Sequence, residues 1–175
     1  MAHIKVALVT FVFLFLFAFA PSSPAQIKSS YSSLTGKNCR SMKLTKADEN
    51  VLTHLRCTGV AGYRLDVLVG EEHQYVELIT PKGKNFDVSI NPASYSSVGK
   101  TAEWRMRGAT PVGLIVRFDM RGADVNKVAD SALVVSKVTR NSACVVDSVY
   151  SSKDQNAKAR RIADTATGRK CQPGK

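Results

Sequence analysis

Six side chains beyond residue 25 are chemically versatile: Cys39, Cys57, Cys144, Cys171, His54 and His73. Structural zinc uses closely spaced C-x2-4-C pairs, which the chain lacks, so metal binding is not expected. An even cysteine count in an exported chain argues instead for two disulfides among three possible connectivities. Cys39–Cys57 and Cys144–Cys171 are the expected pairs, because each is near in sequence and a crossed linkage would tie the two ends of the chain together. Loops of this size contribute about 3 kcal/mol each in the chain-entropy picture. With the cysteines paired, nucleophilic catalysis would need a serine and a histidine base, and no G-x-S-x-G or H-E-x-x-H occurs. Gly99-Lys100-Thr101 looks like the end of a phosphate loop, but Ser94 stands where that loop requires glycine. Glu71 and Glu72 share a turn, and Asp119, Asp124 and Asp130 recur along a polar stretch. Their spacing fits no calcium loop, and an exposed tip lacks the apolar cleft that raises a glycosidic acid. No catalytic residue, metal or cofactor is therefore expected.

Charge is the remaining chemical bias. The chain has 25 Lys and Arg against 14 Asp and Glu, a formal charge of +11. Such a surface attracts polyanions through long-range fields and counterion release. The most basic stretch holds Lys153, Lys158, Arg160, Arg161, Arg169 and Lys170, which form the expected polyanion-binding patch. Aromatic residues are not interleaved with these cations as base stacking requires, so sequence-specific nucleic acid is not the expected partner. An anionic envelope polymer or another exported protein is.

The elements that must position these groups follow from local pattern. Val6 to Ala20 is apolar apart from Thr10, with Lys5 before it and Ser23 and Ala25 after it. Fifteen residues rise about 22 Å as a helix, short of a bilayer core of about 30 Å, so residues 1–25 are expected to be a cleavable signal peptide. No later run would span a membrane. Without Lys5 the remainder carries 24 basic and 14 acidic side chains, a charge of +10. A Ser-rich, loose lead is expected over 26–37, then one domain over 38–175.

Tyr63, Leu65, Val67 and Val69 alternate with polar neighbours, the period of a half-buried strand. Similar runs recur at 51–57, 74–80, 86–90, 102–107, 112–118, 132–138 and 143–150, with 121–130 as a long polar loop. Gly, Pro, Asn and Ser separate them. The pattern is mainly β, an antiparallel meander closing as a small sandwich or barrel. Ser152 and Gln155 stand at capping-box spacing, and Ala159, Ile162, Ala163 and Ala166 form one apolar stripe. They predict a C-terminal helix over 152–168, stopped by Gly168 and stapled to the last hairpin by Cys144–Cys171.

Cys39 with Leu55-Arg-Cys57, Gly59 and Gly62-Tyr63, then Glu103-Trp104-Arg105, Leu133 to Lys137, Cys144 to Val149, and Asn156 to Asp164 before Cys171, resemble a group of small exported proteins of Gram-negative bacteria. The resemblance spans roughly Cys39 to Cys171. It implies a periplasmic or secreted location, supports the cysteine pairing and brings no catalytic residue. The expected role is a non-enzymatic exported binding or envelope-associated protein; the alternative is a secreted inhibitor of a hydrolase such as lysozyme. Common animal lysozymes are themselves basic, and two positively charged partners repel on encounter.

Overall fold

The computed structural model describes residues 26–90, 95–122, 124 and 126–173. The expected signal peptide lies outside them. Among the described residues, ten strands build two antiparallel five-stranded sheets. The first sheet holds β1 (Ile27–Ser33), β7 (Ser96–Arg107), β8 (Thr110–Arg121), β9 (Val128–Val138) and β10 (Ala143–Tyr150), in that spatial order. The second is a plain meander of β2 (Cys39–Ser41), β3 (Thr53–Thr58), β4 (Arg64–Val69), β5 (Gln74–Ile79) and β6 (Asn85–Asp87). One helix, α1 (Gln155–Asp164), covers the far face of the first sheet. The fold is thus a mainly β sandwich with a C-terminal helix, as the periodicity implied.

Between the sheets, alternate residues interdigitate. Trp104, Leu114, Val116, Phe118 and Val134 from the first sheet meet Leu65, Val67, Val76 and Leu78 from the second. Each such side chain contributes about 1.5–3 kcal/mol when fully buried. The two polar rings at this core keep partners: Trp104 Nε1 donates to Ser32 Oγ at 2.8 Å and Tyr63 Oη to the Thr139 carbonyl at 2.9 Å. Gly59 is required where β3 leaves the sheet, since a Cβ there would come within 2.9 Å of the Trp104 ring.

The first sheet is buried on both faces. Its other face, with Ile115, Leu133, Val135, Val146 and Val149, packs on Ala159, Ile162, Ala163 and Ala166. The narrow alanine stripe lets the backbones approach closely: a Cβ on Gly113 of β8 would meet the Ala163 carbonyl at 2.8 Å.

Three expectations change. The lead expected over 26–37 is largely β1, paired with β7 from Ile27–Arg107 to Ser33–Thr101. Its serines show no apolar alternation; the backbone ladder and the Ser32–Trp104 bond hold it. The polar loop ends early, at Val128, where β9 begins. The helix starts with Asp154 as its N-cap, and no side chain caps it. Gln155 turns inward instead, donating to the Val149 and Ser131 carbonyls at 2.9 and 3.0 Å. The helical turn at 166–168 is 3-10 rather than α.

Candidate functional site: a cationic hollow beside the first disulfide

Both disulfides form as expected. Cys39–Cys57 joins directly opposed residues of β2 and β3, and Cys144–Cys171 ties the tail after α1 to β10. The six tail cations differ in their surroundings. Arg160 turns back to the sheet, where its Nε donates to Glu103 Oε1 at 2.7 Å and its guanidinium reaches Tyr31 Oη at 3.3 Å. Arg169 donates to Thr165 Oγ1 and has an Asp147 oxygen at 4.0 Å. Lys153, Lys158, Arg161 and Lys170 are exposed and have no carboxylate partner among the described residues.

Arg160 belongs to a network that fastens the helix. Arg105 donates twice to Asp164, at 2.6 and 3.0 Å, and also bonds Ser29, which bonds Glu103. Burial pushes the Glu103 carboxyl up, but bonds from Arg160 and Ser29 outweigh it, and the group titrates below the ordinary glutamate value. Every charge in this network has a partner within the chain.

The second sheet is different. Its outer face carries one transverse row, residue opposite residue across all five strands: Arg40, Arg56, Asp66, Glu77 and Asp87. Two cations stand at one end and three carboxylates at the other. Asp66 is 1% exposed, and it receives Arg56 Nε and Nη2 at 2.8 and 2.7 Å while His54 Nε2 lies 2.6 Å away. Burial raises this carboxyl, yet the Arg56 and His54 bonds prevail and hold it below the usual aspartate value. Burial, then the neighbouring Asp66 and Asp87 charges, push Glu77 up. The bond to Asp66 raises the Arg56 guanidinium in turn.

Arg56 thereby has a carboxylate partner, one it shares with His54, while its cationic neighbours have none among the described residues. Beside the disulfide lies a hollow of about 270 Å³ at which Lys37, Arg40, Arg56 and Arg64 converge. Lys37 comes from a 3-10 turn entered at Gly36, which adopts φ +67°. Arg40 sits on β2, directly opposite Arg56, and Arg64 opens β4 opposite Thr58. Among the described residues no carboxylate pairs with Lys37, Arg40 or Arg64. Directly opposed like charges on neighbouring strands are unfavourable by a few tenths to about 1 kcal/mol. A multivalent anion in the hollow would relieve that repulsion.

This group is not legible as a local pattern, because its members spread over the 27 residues from Lys37 to Arg64. A signal was present nevertheless. Once Cys39 is placed opposite Cys57, an antiparallel pair must set Arg40 opposite Arg56. The tail cations all lie between Lys153 and Lys170.

Each histidine lies beside a carboxylate, and His54 Nε2 is 2.6 Å from Asp66 Oδ2. His73 has Nδ1 3.5 Å from Ser96 Oγ and Nε2 3.9 Å from Glu72 Oε2, in an open groove. Base-to-nucleophile bonds run about 2.6–3.2 Å, and the Ser96 side chain is buried. Gly99-Lys100-Thr101 lies within strand β7 and not in a loop before a helix. Among the described residues no group of His, Cys, Asp and Glu could hold a metal, and no helix is long and apolar enough to cross a membrane.

No protein family, no curated protein and no solved structure matches this chain.

Proposed function

We propose that this is a non-enzymatic, periplasmic or secreted binding protein that engages an anionic envelope component through Lys37, Arg40 and Arg64. The observation that carries the reading is the Arg40–Arg56 opposition: like charges held face to face, with two further unpaired cations beside them and Asp66 satisfying only one. A fold gains nothing from that arrangement by itself. A phosphate or carboxylate polymer gains charge-assisted bonds on a scaffold already fixed by a disulfide and three paired strands. The two disulfides fit an oxidising compartment. Lys153, Lys158, Arg161 and Lys170 add long-range attraction on the helix side.

The test is titration of the disulfide-bonded protein with lipopolysaccharide at low and high salt, using the native chain and the double variants R40E/R64E and K158E/R161E. Binding should weaken with salt, fall by about tenfold or more in R40E/R64E, and change little in K158E/R161E. Equal losses in both variants would reduce the hollow to a share of diffuse charge.

The inhibitor reading draws on a separate feature. Glu49, Glu71 and Glu72 border a hollow of about 400 Å³ at the β4–β5 turn, an acidic face that a basic lysozyme would meet without repulsion. A lysozyme activity assay with native protein and E71K/E72K decides it: inhibition that the variant loses would favour this reading over the first.

A further inference from the structure

The edges of the two sheets meet in a cleft of about 620 Å³ between β6 and β10. We propose that β10 is a strand-addition site for an extended, basic peptide segment of another exported protein. This goes beyond anion binding and uses a different face of the molecule.

β10 is eight residues long and pairs only with β9, so its outer edge presents backbone donors and acceptors to the cleft. The chain itself shows that this edge accepts a neighbour. After Cys171 the tail turns alongside β10, and the Gln172 N–H donates to the Val145 carbonyl at 2.8 Å. Pro173 follows, and without an N–H it cannot extend the ladder. A bulge between Val145 and Asp147 then breaks the register of β10. Beyond it, no main-chain group outside the β9 ladder bonds Asp147 to Tyr150 among the described residues, though the Ser148 N–H donates to Asp147 Oδ1 and the Val149 carbonyl accepts from Gln155, each at 2.9 Å. The tail occupies one end of the template and leaves the other.

The cleft selects what could lie there. Phe86, Ile90 and Val145 give it apolar walls, and Tyr150 is 54% exposed at its rim. Asp87 and Asp147 supply two carboxylates, Asp147 with Arg169 at 4.0 Å, and among the described residues no lysine or arginine lines the cleft. On so basic a protein this is a local reversal of sign. An incoming strand places alternate side chains on opposite sides, so apolar residues can face the walls while a Lys or Arg reaches Asp87 or Asp147. A second copy of this chain, with its own large positive charge, is repelled over most of its surface.

The experiment is an amide-shift titration of the disulfide-bonded protein with a capped six-residue peptide alternating Val or Thr with Lys. Two control peptides replace each Lys by Glu or the central Val by Pro. Shifts and slowed exchange should concentrate at 147–150. Affinity should fall about tenfold for the Glu peptide and for the protein variant D87N/D147N, and be lost with the Pro peptide. The Arg40 and Arg64 signals should not move, which separates this result from the anion reading. Three outcomes overturn the proposal: no shift at millimolar peptide, equal binding of the Glu or Pro peptide, or edge shifts that depend on protein concentration alone and so assign β10 to a second copy.

Discussion

The two outer faces of this sandwich handle charge in opposite ways. Against the first sheet, Glu103, Arg105, Arg160 and Asp164 alternate in sign and bond one another beneath and beside α1. On the second sheet, which no helix covers, the signs are segregated along one row, with cations at the β2 end and carboxylates at the β6 end. Matched charges tie elements together and are thereby consumed. Segregated charges leave each end unbalanced and available to something outside the chain.

That contrast can be broken most directly at Asp66, the one residue that bridges the two ends of the row. Asp66→Ala should lose about 3 kcal/mol in urea unfolding, because the half-buried Arg56 guanidinium would lose its carboxylate partner and His54 its hydrogen bond. A loss under about 1 kcal/mol would mean that the row is as well solvated as an exposed pair. On the helix side, replacing Cys144 and Cys171 together by Ala should cost about 3.5 kcal/mol for a link spanning 27 residues, read from the shift in the thermal or urea midpoint.

Glu103→Gln should cost about 1.5 kcal/mol, since it weakens bonds to Arg160 and Ser29 that are only half-buried. Acid sharpens the same comparison. Asp66 and Glu103 both titrate below their unfolded values, so their contribution is full above about pH 4–5 and is lost as the pH falls through the depressed folded values. Glu77 is raised and acts with the opposite sign, relieving repulsion as it gains a proton. Stability measured from pH 7 to pH 2 should therefore decline below about pH 4, and Asp66→Asn should flatten that decline.

The smallest effect is the most discriminating. Arg40→Ala should raise stability by about 0.5 kcal/mol by removing a like-charge opposition, while weakening lipopolysaccharide binding. A residue whose removal helps the fold and harms binding is one retained for a partner. If Arg40→Ala destabilises the protein, the cation is structural and the two faces do not differ in kind.

Local pattern made much of this molecule legible. Tyr63 to Val69 alternates because one face of β4 is core, and the stripe Ala159, Ile162, Ala163, Ala166 is the face α1 buries. Cysteine pairing followed from proximity in the chain. The Ser-rich segment now forming β1 gave no such signal, because its place is set by backbone bonds to β7 about 70 residues away and by Ser32 beneath Trp104. Gln155 departs from its capping role for a similar reason: a cap is a local partner, whereas its partners come from β9 and the end of β10.

Strand periods, helix stripe, disulfide framework and net positive charge were determined by the sequence itself, since each depends on spacing over a few residues or on counting. Which cations are neutralised was decided only by the tertiary structure. Arg160 and Arg40 are alike as side chains; one bonds Glu103 and the other stands opposite Arg56 in the β2–β3 register, and that difference exists only after the strands have paired.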